Sequence, residues 1–299
     1  MRRAHLIANV KSGKGLGAAL PEMAQKIADE LGIQLLIHAA NSAEEFPAMI
    51  RRAVQSAVED RGVVIAAGGD GTIRGVAQEA AHKDVDFAAV GIGTFNFFAR
   101  GHRIPEDPEQ ALRLAFTGRT RAVRLGEVNG HVFLINASLG RYAKSIRERE
   151  QNTKIFGRRR IVAILSTLRS LLRRDRLLDA RMVVDGQPHR ERTPMIFIGN
   201  NALQLRDLAF DVSRCMKRDL LAVVTMKPVG SLEMLRIFWR GITHTIEKEE
   251  NVESYCAADL EIATKRKSMD VALDGELFHM QSPFHVTALP GALRMVVPD

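Results

Sequence analysis

Val63-Val64-Ile65-Ala66-Ala67-Gly68-Gly69-Asp70-Gly71-Thr72 is the stretch on which the reading of this 299-residue chain turns. Residues 63–67 are apolar or small, and three are β-branched, as in a parallel strand buried on both faces. The three glycines and one aspartate that follow read as a tight turn, and Thr72 opens a helix that runs towards Ala80. Such a turn points backbone N–H groups at whatever lies beyond the strand, which suits an anion such as phosphate. The carboxylate of Asp70 does not suit an anion alone. It suits an anion with a metal ion, or a proton to be taken from a nucleophile.

Working outward, residues 4–10 read as a first strand, Lys11-Ser12-Gly13-Lys14-Gly15 as a flexible basic turn and residues 18–31 as a helix. That turn has neither the phosphate-loop spacing nor the dinucleotide fingerprint, and on its own it reads equally well as a plain connection. A strand over 33–39 and a helix over 43–58 precede the opening stretch. A strand over 87–92 follows it and leads into Gly93-Thr94-Phe95-Asn96-Phe97-Phe98-Ala99-Arg100. Strands alternating with helices predict an α/β domain with a doubly wound parallel sheet. Ligands of such sheets lie beyond the carboxyl ends of the strands, where all three glycine turns fall.

Near residues 119–124 the pattern changes. Short β-like runs follow at 123–128, 131–136, 180–184, 195–198, 220–226, 258–264 and 269–273, with Asn129-Gly130 and Asp185-Gly186 as turn signals. They predict a β-rich antiparallel domain, a sandwich or barrel. A helical insertion at about 141–176 interrupts it, and residues 232–240 look like another helix. The insertion is rich in arginine, including Arg158, Arg159, Arg160, Arg173 and Arg174, while Ile161, Ile164, Leu165, Leu168, Leu171 and Leu172 share one helical face. Such a helix can lie on an anionic bilayer; equally, its apolar face can pack on the sheet with the arginines solvated.

Lys and Arg number 43 against 35 Asp and Glu, a net charge of +8, which points to nucleic acid, nucleotides or an anionic membrane surface as partners. With one Trp and two Tyr, and no aromatics interleaved with the arginines, nucleic acid is disfavoured. No run of about 18 apolar residues predicts a membrane span. The basic then apolar start is too short for a signal peptide and reads as strand one. Two cysteines, Cys215 and Cys256, give no disulfide framework and point to a reducing compartment. The 46% of apolar residues can build two cores.

At Gly68-Gly69-Asp70-Gly71-Thr72 the chain resembles the bacterial diacylglycerol-kinase-like lipid kinases, relatives of sphingosine and ceramide kinases. It is more distantly similar to NAD kinases and phosphofructokinases. The resemblance also rests on Asn9-Val10-Lys11-Ser12-Gly13, on residues 93–100, on Asn136-Ala137-Ser138-Leu139-Gly140 and on Asp274-Gly275-Glu276. One Asp-Gly-Glu carries nothing; all of these in order are specific. The resemblance implies a nucleotide domain over 1–122, completed by about 284–299, a lipid domain over 123–283, and a site in the cleft between them. It implies transfer of the γ-phosphoryl of ATP to a hydroxyl of diacylglycerol, ceramide or a long-chain base, with Mg²⁺.

The implied ATP contacts are Asn9, Ser12, Gly13, Lys14, then Gly68, Gly69, Asp70, Gly71, Thr72, Ile73 and Arg74, then Gly93, Thr94 and Asn96. Glu276 takes the family's base position, with Asp70 orienting it or binding the catalytic Mg²⁺; some relatives use Asp70 itself as base. The chain departs from the family at Phe97, where an acidic residue is common, and at Arg124 in place of an aspartate. Lys217-Arg218-Asp219-Leu220-Leu221-Ala222 replaces a run of aspartates, so no structural magnesium is expected. A kinase of membrane lipids implies a cytoplasmic protein docked on the inner membrane face, for which Arg158, Arg159, Arg160, Arg173 and Arg174 are the candidates. The resemblance leaves room for a homodimer. The competing readings are an NAD-kinase-like kinase of a soluble substrate and a catalytically weakened lipid- or nucleotide-binding relative.

Overall fold

The computed structural model describes residues 3–8, 16–40, 44–140, 177–201, 213–230, 233 and 251–299. The chain divides into two compact units, Met1–Leu125 with Leu289–Asp299, and Gly126–Ala288. The expected insertion at 141–176 and the helix expected at 232–240 lie outside the described residues, apart from Glu233.

The first unit runs β1 (Arg3–Ala8), α1 (Leu16–Glu30), β2 (Gln34–His38), α2 (Phe46–Glu59), β3 (Val63–Gly68), α3 (Asp70–Ala80), β4 (Asp86–Gly91), α4 (Phe97–Gly101) and α5 (Pro108–Thr117). Its strands lie in the order β2-β1-β3-β4, all parallel. The end of the last strand, β16 (Phe284–Val297), adds to β4 in parallel, with Arg294 opposite Asp86 and Met295 opposite Phe87. α1 packs with α5, and α2 with α3. Covered in this way, β3 is buried along its whole length, as its unbroken apolar run predicts. Leu6, Ile7, Ile65 and Phe87 are fully buried there, each contributing roughly 1.5–3 kcal/mol. α5 starts where Asp107 accepts the Gln110 N–H at 2.9 Å and Pro108 takes a first-turn position that needs no donor.

In the second unit a six-stranded antiparallel sheet has the order β12 (Val252–Ala257), β11 (Leu221–Met226), β10 (Met195–Gly199), β7 (Asn136–Gly140), β14 (Ser268–Leu273), β15 (Glu276–Gln281). A further antiparallel set joins β9 (Gln187–Thr193), β8 (Leu178–Val184), β13 (Asp259–Thr264) and the first residues of β16. One core fills the space between: Met182, Leu260, Ile262, Phe284 and Val286 meet Ala137, Leu139, Ile196, Ile198, Val223 and Val271. Its hairpin turns are Asn129-Gly130, Asp185-Gly186 and Asp274-Gly275, each with both residues at positive φ, from 46° to 88°, the geometry that suits right-twisted strands. β5 (Arg119–Val128) ends in this unit, where it pairs with β6 (His131–Phe133). The Phe133 ring lies against Gly126, so close that a Cβ there would sit 2.2 Å from its Cζ.

An α/β domain with a parallel sheet plus a β-rich antiparallel domain is thus what the sequence predicts and what the structure has. Among the described residues β9, β12, β15 and β16 fall outside the predicted β-like runs, and β7 shares only Asn136 with them. The cysteine reading is corrected. Cys215, on α6 (Ser213–Lys217), is disulfide-bonded to Cys256 on β12. α6 packs on β11 and β12, which brings the two Cα atoms to 5.2 Å although 41 residues separate them, within the range a disulfide spans. Among the described residues no helix is long and apolar enough to cross a membrane.

Candidate active site

The Gly68-to-Thr72 turn and the Gly93-to-Asn96 turn follow adjacent strands and touch. The Ile92 N–H donates to the Gly68 carbonyl at 3.0 Å, extending the β3–β4 pairing past the strand ends. A Cβ on Gly93 would lie 2.8 Å from the Gly69 Cα and 2.9 Å from Asn96 Oδ1. A Cβ on Gly68 would lie 2.5 Å from the Thr72 Cβ. These glycines therefore answer to close approach rather than to backbone dihedrals. Asn96 holds the second turn: its Oδ1 accepts the Gly93 N–H at 2.8 Å, and its Nδ2 donates to the carbonyls of Gly91 and Gly93 at 3.1 and 3.3 Å. Its own backbone is left-handed, at φ 50°, where asparagine is tolerated.

Asp70 sits differently from the turn aspartate the sequence suggests. The helix starts at Asp70 itself with Gly69 as N-cap, not at Thr72, and no side chain caps it. The Asp70 carboxylate instead accepts the Phe97 and Phe98 N–H groups at 3.4 and 3.3 Å, at the start of α4. One carboxylate thus lies in the first turn of α3 and caps α4, where both helix N-termini favour negative charge. Burial nevertheless pushes the Asp70 carboxyl above its usual range, against the pull of the Phe98, Phe97 and Asn96 N–H groups. A carboxylate held this way is half-buried and readily coupled to a proton or a cation. Thr72, Ile73 and Arg74 are buried on α3, whereas Thr94 is exposed. Phe97 stacks parallel on Phe95 at 5.5 Å.

His102, just beyond α4, was not singled out in the sequence. It meets the Phe98 ring edge-on at 4.8 Å. Burial, and then the positive charges of Arg121 and Arg124, push its pKa down to about 4. The fold holds it neutral, while the unfolded chain takes up a proton below about pH 6.5. This residue's share of stability is complete above that pH and is lost as pH falls towards 4, to a ceiling of roughly 3 kcal/mol. Denaturant unfolding of wild type and His102→Phe at about pH 7.5 and about pH 4.5 checks this. The variant keeps a ring against Phe98 and should lose less stability on acidification; equal losses contradict the assignment.

In the second unit, Glu276 is the exposed first residue of β15, opposite Leu273. Two residues earlier, Asp274 accepts the N–H groups of Leu134 at 2.7 Å, Ile135 at 2.8 Å and Asn136 at 3.0 Å. Its own N–H donates to the Asn136 carbonyl at 2.9 Å. Asn200 secures the same segment, donating from Nδ2 to the Leu134 carbonyl at 3.0 Å and from its backbone N–H to the Ile135 carbonyl at 2.8 Å. The turn signal Asp274-Gly275 reveals none of this, because the donors are backbone groups in a remote segment.

Of the predicted site residues, the structure brings Gly68, Gly69, Asp70, Gly71, Thr72, Gly93 and Asn96 together in the first unit. Asn9, Ser12, Gly13 and Lys14, and Arg158, Arg159, Arg160, Arg173 and Arg174, lie outside the described residues. Among the described residues no group of three or more His, Cys, Asp or Glu side chains could hold a metal ion. They do not form a protein-only metal site. A Mg²⁺ ion would have to arrive with phosphate and meet Asp70 as a single carboxylate, as Mg²⁺ commonly does.

Residues 3–128 match the diacylglycerol kinase catalytic domain family. A diacylglycerol kinase of Staphylococcus carnosus (strain TM300) is 31% identical over 158 residues, 52% of this chain and 50% of the relative. A probable lipid kinase YegS-like protein of Enterobacter sp. (strain 638) is 30% identical over 194 residues, 64% of this chain and 63% of the relative. These two matches thus span from half to under two thirds of the curated relatives' length. In fold, the crystal structure of a diacylglycerol kinase from Bacillus anthracis str. Sterne superposes with a TM-score of 0.75 at 19% identity, covering 99% of this chain and 97% of that one. The family match is thus confined to residues 3–128, less than half of the chain, and what it shows is a similarity to the diacylglycerol kinase catalytic domain.

Proposed function

We propose that the protein is an ATP-dependent lipid kinase that transfers the γ-phosphoryl group to a hydroxyl of a membrane lipid. The observation that carries this reading is the contact between the Gly69 and Gly93 turns, with Asp70 beside it at two helix N-termini, inside the segment that matches the kinase family. Phosphoryl transfer asks a protein mainly to position the phosphates and to neutralise charge. Backbone N–H groups of the two turns hold the triphosphate; Thr72, Thr94 and Lys14 add hydroxyls and a cation. The lipid hydroxyl oxygen bonds to the γ-phosphorus, its bond to the bridging oxygen breaks, and ADP leaves. Glu276 takes the hydroxyl proton. Asp70 orients the reacting groups. Mg²⁺ supplies neutralisation of phosphate charge when it arrives with ATP.

Diacylglycerol, ceramide and long-chain bases are the acceptor candidates. The arginines at 158–160, 173 and 174 support docking on an anionic bilayer from their sequence alone, each contributing about 1 kcal/mol near the surface. A kinase of a soluble substrate, of the NAD-kinase type, shares the glycine turn and is the second reading. Mass spectrometry of lipids and of the NAD pool from cells expressing the chain separates the two. The lipid reading expects a lipid that gains one phosphate. Phosphate gained by NAD alone overturns it.

A further inference from the structure

We infer that Asp274 is a positioning residue for Glu276; the inference rests on the lipid-kinase reading and extends it to the residue that sets the base in place. Glu276 begins β15 immediately after a two-residue turn, so the geometry of that turn sets where its Cα lies. What fixes that turn is Asp274. Its Oδ1 accepts from Ile135 and Asn136 and its Oδ2 from Leu134, three bonds of 2.7–3.0 Å, all within the normal range for N–H···O bonds. The reciprocal Asp274 N–H to Asn136 carbonyl bond closes the ring at 2.9 Å. The clamped partners are well anchored: Leu134 and Ile135 are buried, and Asn200 ties their carbonyls from β10's end. The turn itself is tight, with Asp274 at φ 49° and Gly275 at φ 88°. A carboxylate that gathers three consecutive N–H groups can do so in few orientations, so it fixes the Cα of the residue two places on.

This separates the two acids of Asp274-Gly275-Glu276 by task. Asp274 acts through backbone donors on the geometry of the turn, and Glu276 acts on the lipid proton. Loss of the clamp should therefore spoil turnover rather than nucleotide binding, which belongs to the first unit.

The test uses three variants of the full chain: Asp274→Asn, Glu276→Gln and the double variant. Asp274→Asn keeps the side-chain shape but turns an N–H donor towards backbone donors. Its kcat should fall about 10- to 100-fold, the loss that follows a misplacement of about 1 Å, with KM for ATP held within about twofold. The double variant should be no slower than Glu276→Gln alone, because Asp274 acts only through Glu276. A merely structural aspartate would lower both kcat and the folded fraction, and its effect would multiply with that of Glu276→Gln. Gly275→Ala provides a second route: a Cβ there meets nothing within 4 Å, but at φ 88° an alanine backbone is strained, so the variant shifts the turn and should show the same kcat-selective loss. Amide exchange of residues 134–136 should be slow in wild type and faster in Asp274→Asn. Full kcat in a folded Asp274→Asn, or multiplicative losses in the double variant, overturns the inference while leaving the kinase reading intact. A wild type inert on every lipid overturns both, and is told apart by that absence of basal turnover.

Discussion

Glu276→Gln should fold as wild type does and lose about 10²- to 10⁴-fold in kcat. The substitution is nearly isosteric at an exposed strand start, so the change in stability should stay within about 0.5 kcal/mol. What it removes is the one group at that position that can accept a proton. Without it the hydroxyl must attack while still protonated, or lose its proton to water. KM for ATP should move little, since the glycine turns assigned to the phosphates belong to the other unit. Steady-state kinetics on the lipid that labels best checks this, with Asp70→Asn alongside. Full turnover in Glu276→Gln with a large loss in Asp70→Asn transfers the base assignment to Asp70.

Gly93→Ala should be nearly as damaging, by a different route. Its Cβ meets the Gly69 Cα at 2.8 Å and Asn96 Oδ1 at 2.9 Å. Neither can move away freely. The first is backbone of the partner turn, and the second is held by the Gly93 N–H itself. The two turns must part by several tenths of an ångström, and the N–H groups assigned to the phosphates move with them. A loss of about 10²-fold in kcat/KM for ATP is expected, accompanied by a stability loss of about 1–3 kcal/mol. Nucleotide titration and unfolding curves measured together decide it; unchanged ATP kinetics in a folded Gly93→Ala would remove the second turn from the site.

The first unit is legible in the sequence because each of its elements carries its own signal. The apolar runs of β3 and β4, the glycines after them and the amphipathic helices agree with one another. The second unit is legible only in part. β9 reads Gln-Pro-His-Arg-Glu-Arg-Thr, with Thr193 alone buried; it becomes a strand because the Asp185-Gly186 turn folds it back on β8. β12 and β15 likewise owe their existence to a partner strand more than to their own pattern. The cysteine pair escapes notice because a separation of 41 residues says nothing about proximity. In the candidate site, the glycines and acids announce themselves as residue types. The groups that bind those acids do not: the Phe97 and Phe98 amides cap Asp70 from 27 and 28 residues away, and the amides at 134–136 hold Asp274 across some 140. Backbone donors have no signature in sequence, so the task of each carboxylate appears only once the chain is folded.

The most direct test of the account is transfer of label from γ-labelled ATP by the purified protein, offered mixed micelles of diacylglycerol, ceramide or a long-chain base, with NAD in a parallel reaction. The account predicts labelled phosphate in an organic-extractable lipid with wild type, and its near-complete loss with Glu276→Gln. Label that appears in no lipid, or in NAD alone, contradicts it.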